Sequence, residues 1–170
     1  MKHFISVVGE HKASKENYQM AEKVGELIAK NGVILVCGAL TGVMEAACKG
    51  AKSMGGLTVG ILPGSNRSDA NQYVDIPIVT GVGYARNKYV VKSGEVVIAV
   101  GGYYGTLSEI AFALGYNIPV VGLNTWTFSR HGKVDKGIMY ANTPEEAVET
   151  AMKIIRKGEP KLRNRREYET

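Results

Sequence analysis

The chain has 170 residues, of which 45% are hydrophobic and 22% are charged. This is the size and composition of one globular domain that needs no disulfide or metal support, and it excludes a disordered or fibrous protein. The net charge of +5 lies mostly at the C-terminal end: seven basic and three acidic residues follow position 152, leaving 14 basic and 13 acidic residues before it. A nearly neutral body is not typical of a nucleic-acid-binding surface.

Signals for export, membrane insertion and metal binding are missing from the sequence. It has neither the apolar h-region of a signal peptide nor an apolar run of about 18 residues. Cys37 and Cys48 lie in apolar segments, as buried free thiols of a reducing compartment do. His3, His11 and His131 lack metal-ligand spacing. We therefore predict a cytoplasmic protein with no membrane association and no metal.

Apolar runs and helical periodicities alternate along the chain. The runs, which predict strands buried on both faces, are Phe4–Val8 (the weakest), Val33–Cys37, Leu57–Leu62, Val96–Val100 and Ile118–Leu123. The segments with helical spacing are Ser14–Lys30, Val43–Met54, Tyr84–Lys92, Leu107–Leu114 and Pro144–Arg156. This alternation predicts an α/β fold, a single-domain, doubly wound, mostly parallel sheet flanked by helices, which is Rossmann-like. We expect residues 1–158 to form the domain and residues 159–170 to form a basic C-terminal tail.

Two predicted helix starts carry the pattern of a capping box, in which a Thr and a Glu three residues later bind each other's backbone N–H groups. One is Thr143–Glu146, with Pro144 at the first helical position. The other is Thr106–Glu109.

Glycine-rich loops follow two of the predicted strands. After Val33–Cys37 come Gly38, Thr41 and Gly42, and after Val96–Val100 come Gly101, Gly102, Gly105 and Thr106. Loops at the carboxyl ends of parallel strands form ligand sites, and glycine amides beside a helix N-terminus bind phosphate. The alternative is that these glycines only make tight turns. Neither loop is a P-loop, and no dinucleotide fingerprint follows the first strand, which disfavours NAD binding and ATP hydrolysis.

A third polar segment, Ala85–Asn87, precedes the strand that ends at Gly101. A positive charge early in a helix opposes the helix dipole, and a phosphate or carboxylate partner would offset this. Arg86 is therefore a candidate phosphate ligand, with an exposed surface arginine as the alternative. Glu109 is a candidate site residue whose role could instead be helix capping.

The pattern Gly-Gly-x-x-Gly-Thr-x-x-Glu at Gly101–Glu109, preceded by Ala85–Asn87 and by the Gly38–Glu45 loop, resembles the Rossmann-like superfamily of the LONELY GUY (LOG) proteins. These are cytokinin-activating phosphoribohydrolases formerly called lysine decarboxylases. From Val33 to Asn124 the chain is most similar to the branch of the molybdenum cofactor carrier proteins.

By matching positions, the resemblance implies that Gly101, Gly102, Gly105 and Thr106 bind a phosphate, and that Arg86 and Glu109 lie near the ribose. Gly38, Thr41, Gly42 and Asn87 complete the predicted phosphate- or nucleotide-binding set. In a hydrolase, Glu109 would activate water or stabilise the ribose cation, and Arg86 would hold the phosphate.

The chain departs from the phosphoribohydrolases at Val100, where they have proline, at Asn87, where they have lysine, and at Gly9–His11, where they have a Gly-Ser loop. These differences favour ligand binding over base cleavage. We therefore predict a nucleotide- or phosphopterin-binding protein that requires no cofactor and can hold a nucleoside monophosphate or a molybdopterin-type ligand. The alternative is a LOG-type hydrolase that converts nucleoside 5′-monophosphates to base and ribose 5-phosphate.

Further expectations concern partners and chemistry. We expect a homodimer or homotetramer that binds a small phosphorylated ligand, with nucleic acid binding through the Arg163–Arg166 tail disfavoured. Lysine decarboxylation is rejected because no lysine is marked out for a Schiff base. Arg67, in a polar loop, is a possible second anion contact or a surface residue. Trp126 either stacks on a ligand ring or packs in the core or a subunit interface.

Overall fold

The computed structural model describes residues 1–158 of the chain. In chain order, the strands of this part are β1 (Phe4–Gly9), β2 (Ile34–Cys37), β3 (Thr58–Leu62), β4 (Ile76–Val79), β5 (Val96–Val100), β6 (Val120–Leu123), β7 (Ser129–Arg130), β8 (Lys133–Val134) and β9 (Ile138–Ala141). Seven of them form one parallel sheet in the order β4-β3-β2-β1-β5-β6-β9, and β7 and β8 form a separate antiparallel hairpin. The predicted doubly wound α/β fold is confirmed. The predicted tail, residues 159–170, lies outside the described residues.

Helices cover both faces of the sheet. They are α1 (Lys15–Lys30), α2 (Val43–Ser53), α3 (Asn87–Ser93), α4 (Tyr104–Gly115) and α5 (Pro144–Arg156). One buried cluster joins the sheet to α1, α2 and α5 through Val24, Ala47 and Ala151, and a second joins it to α3 and α4 through Val90 and Ile110. The continuous apolar runs are explained by this arrangement, because β5 is buried along its whole length.

Helices α1 and α2 pack at backbone distance because each has a glycine at the contact. A Cβ on Gly25 would overlap the carbonyl oxygen of Ala47, and a Cβ on Gly50 would overlap that of Glu22. These overlaps involve main-chain atoms, which cannot rotate away. Helix α2 begins directly after the Gly38–Gly42 loop, so this packing fixes where that loop lies.

We expect Gly50→Ala to lower the free energy of unfolding by about 1–3 kcal/mol, because the two helices must move apart. The higher helix propensity of alanine, about 1 kcal/mol, opposes this loss without cancelling the overlap with the main chain. Urea unfolding followed by circular dichroism measures the effect. Gly115→Ala is the control, since a Cβ there meets no heavy atom within 4 Å. Equal or higher stability of Gly50→Ala would contradict the prediction.

The two predicted capping boxes have different outcomes. Helix α5 begins at Pro144, and the hydroxyl of Thr143 accepts the Glu146 N–H at 3.1 Å, as predicted. The Glu146 carboxylate reaches one residue further back and accepts the N–H of Asn142. The box at Thr106 is wrong, because α4 begins at Tyr104, three residues before the predicted start at Leu107, and has no side-chain cap.

Helix boundaries near the site also differ from the sequence prediction. The segment predicted as one helix, Tyr84–Lys92, is a 3-10 turn (Gly83–Arg86) followed by α3. Arg86 is therefore the residue at which the turn passes into α3. Within residues 1–158, none of the helices combines the length and the apolar character needed to cross a bilayer.

Candidate functional site

The strand order places a crevice between β1 and β5. Successive strands from β1 run outward on one side of the sheet to β4, and from β5 they run outward on the other side to β9. Loops that leave two such neighbouring strands diverge and open a crevice at their carboxyl ends. The structure has a cavity of about 350 Å³ at this point. Its lining comes from the end of β1 and the loop after it, from α2, from the 3-10 turn with the first residue of α3, and from the first half of α4 with Tyr103 before it: Gly9, Glu10, His11, Lys12, Met44, Tyr84, Arg86, Asn87, Tyr103, Tyr104, Gly105, Thr106 and Glu109.

Half of the predicted site residues line this cavity, namely Arg86, Asn87, Gly105, Thr106 and Glu109. The other half contact the residues that line it, namely Gly38, Thr41, Gly42, Gly101 and Gly102. The structure therefore brings the two glycine loops to one site, but in different roles. The first loop supports lining side chains and backbone, and the second loop leads into the lining helix α4.

Gly38 makes room for Arg86. A Cβ on Gly38 would overlap the guanidinium group of Arg86, which is only 4% exposed. Gly42, with φ of +68°, lies against the carbonyl groups of Glu10 and His11, and the Thr41 hydroxyl donates to the His11 carbonyl at 3.1 Å. The Gly38–Gly42 loop thus holds Arg86 and the β1–α1 loop in place.

The second glycine loop is bound by a carboxylate of the protein itself, that of Glu10 in the loop after β1. The N–H of Gly102 donates to Oε2 of Glu10 at 2.9 Å, and the Asn17 amide donates to Oε1 of the same carboxylate at 2.8 Å. Asn124 in turn donates to Asn17 at 2.8 Å. Gly101 is required here, because a Cβ at this position would overlap the Asn17 amide. A phosphate that used the Gly102 amide would have to displace Glu10.

Arg86 and Glu109 form a buried pair of which one member is neutral. Their side chains are 5% and 8% exposed, and Nη1 of Arg86 lies 3.7 Å from Oε1 of Glu109. Burial raises the pKa of Glu109 to about 8, against the opposing effect of the Arg86 charge. Burial also lowers the pKa of Arg86, but an arginine side chain is effectively always protonated in proteins. At neutral pH the site therefore holds a cation beside a protonated carboxylic acid.

Part of the hydrogen-bonding capacity of the Arg86 guanidinium is unsatisfied. Among the described residues, its Nε has no hydrogen-bond partner. A buried donor without an acceptor costs about 1–3 kcal/mol, more when it is charged, so an acceptor in the cavity would relieve this cost. Partial burial and, to a smaller extent, the Arg86 charge lower the pKa of His11 at the same cavity.

The N-terminus of α4 lies at the cavity, which Tyr104, Gly105 and Thr106 line. The first intrahelical bond of α4 is from Leu107 N–H to the carbonyl oxygen of Tyr103. The N–H groups of Tyr104, Gly105 and Thr106 therefore have no acceptor within the helix, and the helix dipole adds partial positive charge. Lys12, in the loop between β1 and α1, lines the same cavity.

Aromatic side chains stand at the mouth of the cavity. Tyr84, Tyr103 and Tyr104 line it and are 83%, 68% and 78% exposed. Trp126 is partly buried against the second core cluster; its indole N–H donates to the Tyr103 carbonyl at 3.3 Å and its ring lies 6.0 Å from that of Tyr104. Trp126 thus supports the tyrosines, in agreement with the packing alternative.

Other candidates from the sequence lie away from the cavity or within the core. Arg67 is exposed on the 3-10 turn Arg67–Asp69, which agrees with the surface alternative. Cys37 and Cys48 are buried free thiols with their sulfur atoms 3.4 Å apart, as the apolar context predicted. Among residues 1–158, His, Cys, Asp and Glu side chains form no group of three that could hold a metal ion.

Sequence reasoning missed the β1–α1 loop. Glu10, His11 and Lys12 line the cavity, and Asn17, 7% exposed, fixes Glu10 from within α1. Their position after the first strand was the available signal, since loops at that edge form sites. The position of Asn17, a polar residue on the face of α1 that carries Ala21, Val24 and Ile28, was a second signal.

The doubly wound sheet, with a cationic cavity at its switch point, defines this chain as a Rossmann-like protein with a candidate ligand site. A family model matches residues 2–148, and the chain belongs to the SLOG cluster4 family. It is 46% identical over 144 residues to an uncharacterized protein of Archaeoglobus fulgidus, an alignment that covers 85% of this chain and 91% of that protein.

Two solved structures share both fold and sequence with the chain. The molybdenum cofactor binding protein of Rippkaea orientalis is 38% identical with a TM-score of 0.83, over 91% of this chain and 98% of that one. The molybdenum cofactor carrier protein of Chlamydomonas reinhardtii is 35% identical with a TM-score of 0.82, over 92% and 99%. The predicted resemblance to the carrier branch is confirmed.

Proposed function

We propose that this chain binds a small phosphorylated ligand, a nucleotide or a phosphopterin, in the cavity between β1 and β5. The observation that carries the proposal is the meeting of Arg86, whose buried Nε has no partner, with the free amides at the N-terminus of α4. An anion between them would accept hydrogen bonds from both. Lys12, in the β1–α1 loop, adds a second cation to the lining of the cavity.

The cavity and its relatives support this class of ligand. A volume of about 350 Å³ is within the range of small-molecule sites, and exposed tyrosine rings at its mouth offer faces for a heterocycle. The solved relatives bind or carry the molybdenum cofactor, so a molybdopterin-type ligand belongs to the class to be tested. A homodimer or homotetramer, and a cytoplasmic location, stay predictions.

We propose binding without base release as the main function because of Glu109. A hydrolase of the LOG type would use this residue as a carboxylate, to activate water or to stabilise a ribose cation. Its pKa of about 8 keeps it protonated at neutral pH, and a phosphate anion nearby would raise the pKa further. Release of free base from nucleoside 5′-monophosphates by the purified protein would favour the hydrolase instead.

The proposal is tested by calorimetric titration with ribose 5-phosphate, AMP and GMP, with the corresponding nucleosides as controls that lack the phosphate. We expect binding of the phosphorylated compounds and at least about tenfold weaker binding of the nucleosides. Native mass spectrometry of freshly purified protein would report any retained ligand and the subunit number. Equal binding of nucleosides and nucleotides would overturn the placement of a phosphate in the cavity.

Gly105→Ala separates folding from ligand binding. A Cβ at Gly105 meets no heavy atom within 4 Å, so the fold tolerates it and helix propensity favours it by up to about 1 kcal/mol. The same methyl group crowds the amides of the first turn of α4, where we place the phosphate. We expect unchanged or higher stability and at least about tenfold weaker ligand binding. Gly115→Ala, at the other end of α4, is the matched control and should leave affinity unchanged.

A further inference from the structure

Glu10 takes the place that an anion would have on the second glycine loop. Its two carboxylate oxygens accept from the Gly102 N–H and from the Asn17 amide. A ligand phosphate at this point would meet a negative charge instead of free amides. The cavity therefore has two kinds of lining group. Arg86 and the start of α4 offer donors, and Glu10, in the β1–α1 loop, offers an acceptor.

The carboxylate is held firmly and is still able to accept. Asn17 is 7% exposed and accepts from Asn124, so a chain of two side-chain amides fixes Oε1 of Glu10, while the backbone N–H of Gly102 fixes Oε2. A carboxylate has about four acceptor positions, and the protein uses one on each oxygen. Glu10 is one of the residues that line the cavity, and its remaining acceptor positions are the ones that a bound ligand would use. A fixed acceptor pair of this kind is pre-organised for two adjacent N–H donors.

We propose that Glu10 selects the ring of the ligand, accepting the paired N–H donors of a 2-amino-4-oxo heterocycle such as guanine or a pterin. Adenine presents a ring nitrogen acceptor beside its amino group, so a carboxylate opposite it faces an unfavourable lone pair. Sites that provide hydrogen-bond partners for a polar edge discriminate strongly against rings that lack it, because a buried polar group is then left unpaired. This inference rests on the proposed function, since the phosphate places the ring.

The test compares GMP, IMP and AMP by calorimetric titration, with ribose 5-phosphate as the arm that reports the phosphate alone. We expect the wild type to bind GMP at least about tenfold more tightly than AMP, with IMP, which lacks the 2-amino group, between them. Binding of ribose 5-phosphate together with equal affinities for the three nucleotides would overturn the role of Glu10 and leave the proposed function standing. If none of the four compounds binds, both proposals fail.

The Glu10→Gln variant tests whether Glu10 itself selects the ring of the ligand. Glutamine turns one acceptor into an amide donor, and a carbonyl beside an amino group is complementary to adenine. We expect the GMP-to-AMP affinity ratio to fall at least about tenfold, with ribose 5-phosphate binding retained. Glu16→Gln is the control, because it removes the same charge from an exposed position in the first turn of α1. A ratio unchanged in Glu10→Gln would overturn the proposal, and the wild-type comparison with IMP decides it independently if the variant does not fold.

Discussion

Replacing Arg86 with methionine is expected to remove binding of phosphorylated ligands while leaving the empty protein at least as stable as the wild type. Methionine fills a similar volume without a charge. In the wild type the guanidinium is 4% exposed, its Nε has no partner among the described residues, and its neighbour Glu109 is protonated at neutral pH. Replacing a buried, incompletely paired charge by an apolar group of similar size is often neutral or stabilising.

The expected loss of affinity in Arg86→Met is at least about a hundredfold, which corresponds to the roughly 1.5–3 kcal/mol of a charge-assisted hydrogen bond and the lost Coulomb attraction. Calorimetric titration with ribose 5-phosphate and urea unfolding of the free protein measure the two effects. Arg67→Met, at an exposed arginine away from the cavity, is the control for the general loss of positive charge. Retained affinity, or a large loss of stability, would show that Arg86 has a structural role instead.

Most of the fold was accessible from the sequence because the inner strands are buried on both faces. The apolar runs identified β1, β2, β3, β5 and β6, and the start and end of α5 were predicted correctly. The strands β4 and β9 were missed. They lie at the two edges of the sheet; β4 is largely exposed and contains Pro77, which disfavours a strand assignment, and β9 has two exposed residues at its centre.

The candidate site was accessible only in part, because its central contacts join distant segments. The sequence pattern indicated Arg86 and Glu109, but not that both would be buried at 3.7 Å from each other. The Gly102 amide, expected to be free for phosphate, is bound by Glu10, which lies 92 positions away. The box at Thr106 failed for a related reason: Thr106 packs against Gly102 inside α4 instead of capping it. Local patterns cannot show which distant side chain fills a loop.

The two glutamates that line the cavity, Glu10 and Glu109, differ in their surroundings. Glu10 accepts hydrogen bonds from two N–H donors, the Gly102 amide and the Asn17 side chain. Glu109 has no such donors and is 6% exposed, so burial favours its neutral form. Both residues line the cavity, and a hydrogen-bond acceptor together with a cation beside a protonated acid suits a ligand that carries both N–H donors and an anion.

Glu109→Gln is expected to remove a large part of the pH dependence of stability. The pKa of Glu109 is about 8 in the folded protein, against 4.5 as the ordinary value. Because the folded state keeps a proton that the unfolded chain releases, the contribution of Glu109 to stability is fully present below about pH 4.5. It falls as the pH rises and is lost above about pH 8, by a total on the order of 3–5 kcal/mol. Glutamine, similar in shape and neutral at every pH, makes no such contribution.

The measurement is the free energy of unfolding from urea titrations between pH 5 and 9, taken as the difference between wild type and Glu109→Gln so that other titrating groups cancel. We expect this difference to change in favour of the variant as the pH rises, and to level off above about pH 8. Glu16→Gln, at an exposed glutamate, should give a difference that is nearly constant. A constant difference for Glu109→Gln as well would mean that Glu109 is ionised at neutral pH. The hydrolase function would then be favoured over binding alone, because a carboxylate at this position could activate water or stabilise a ribose cation.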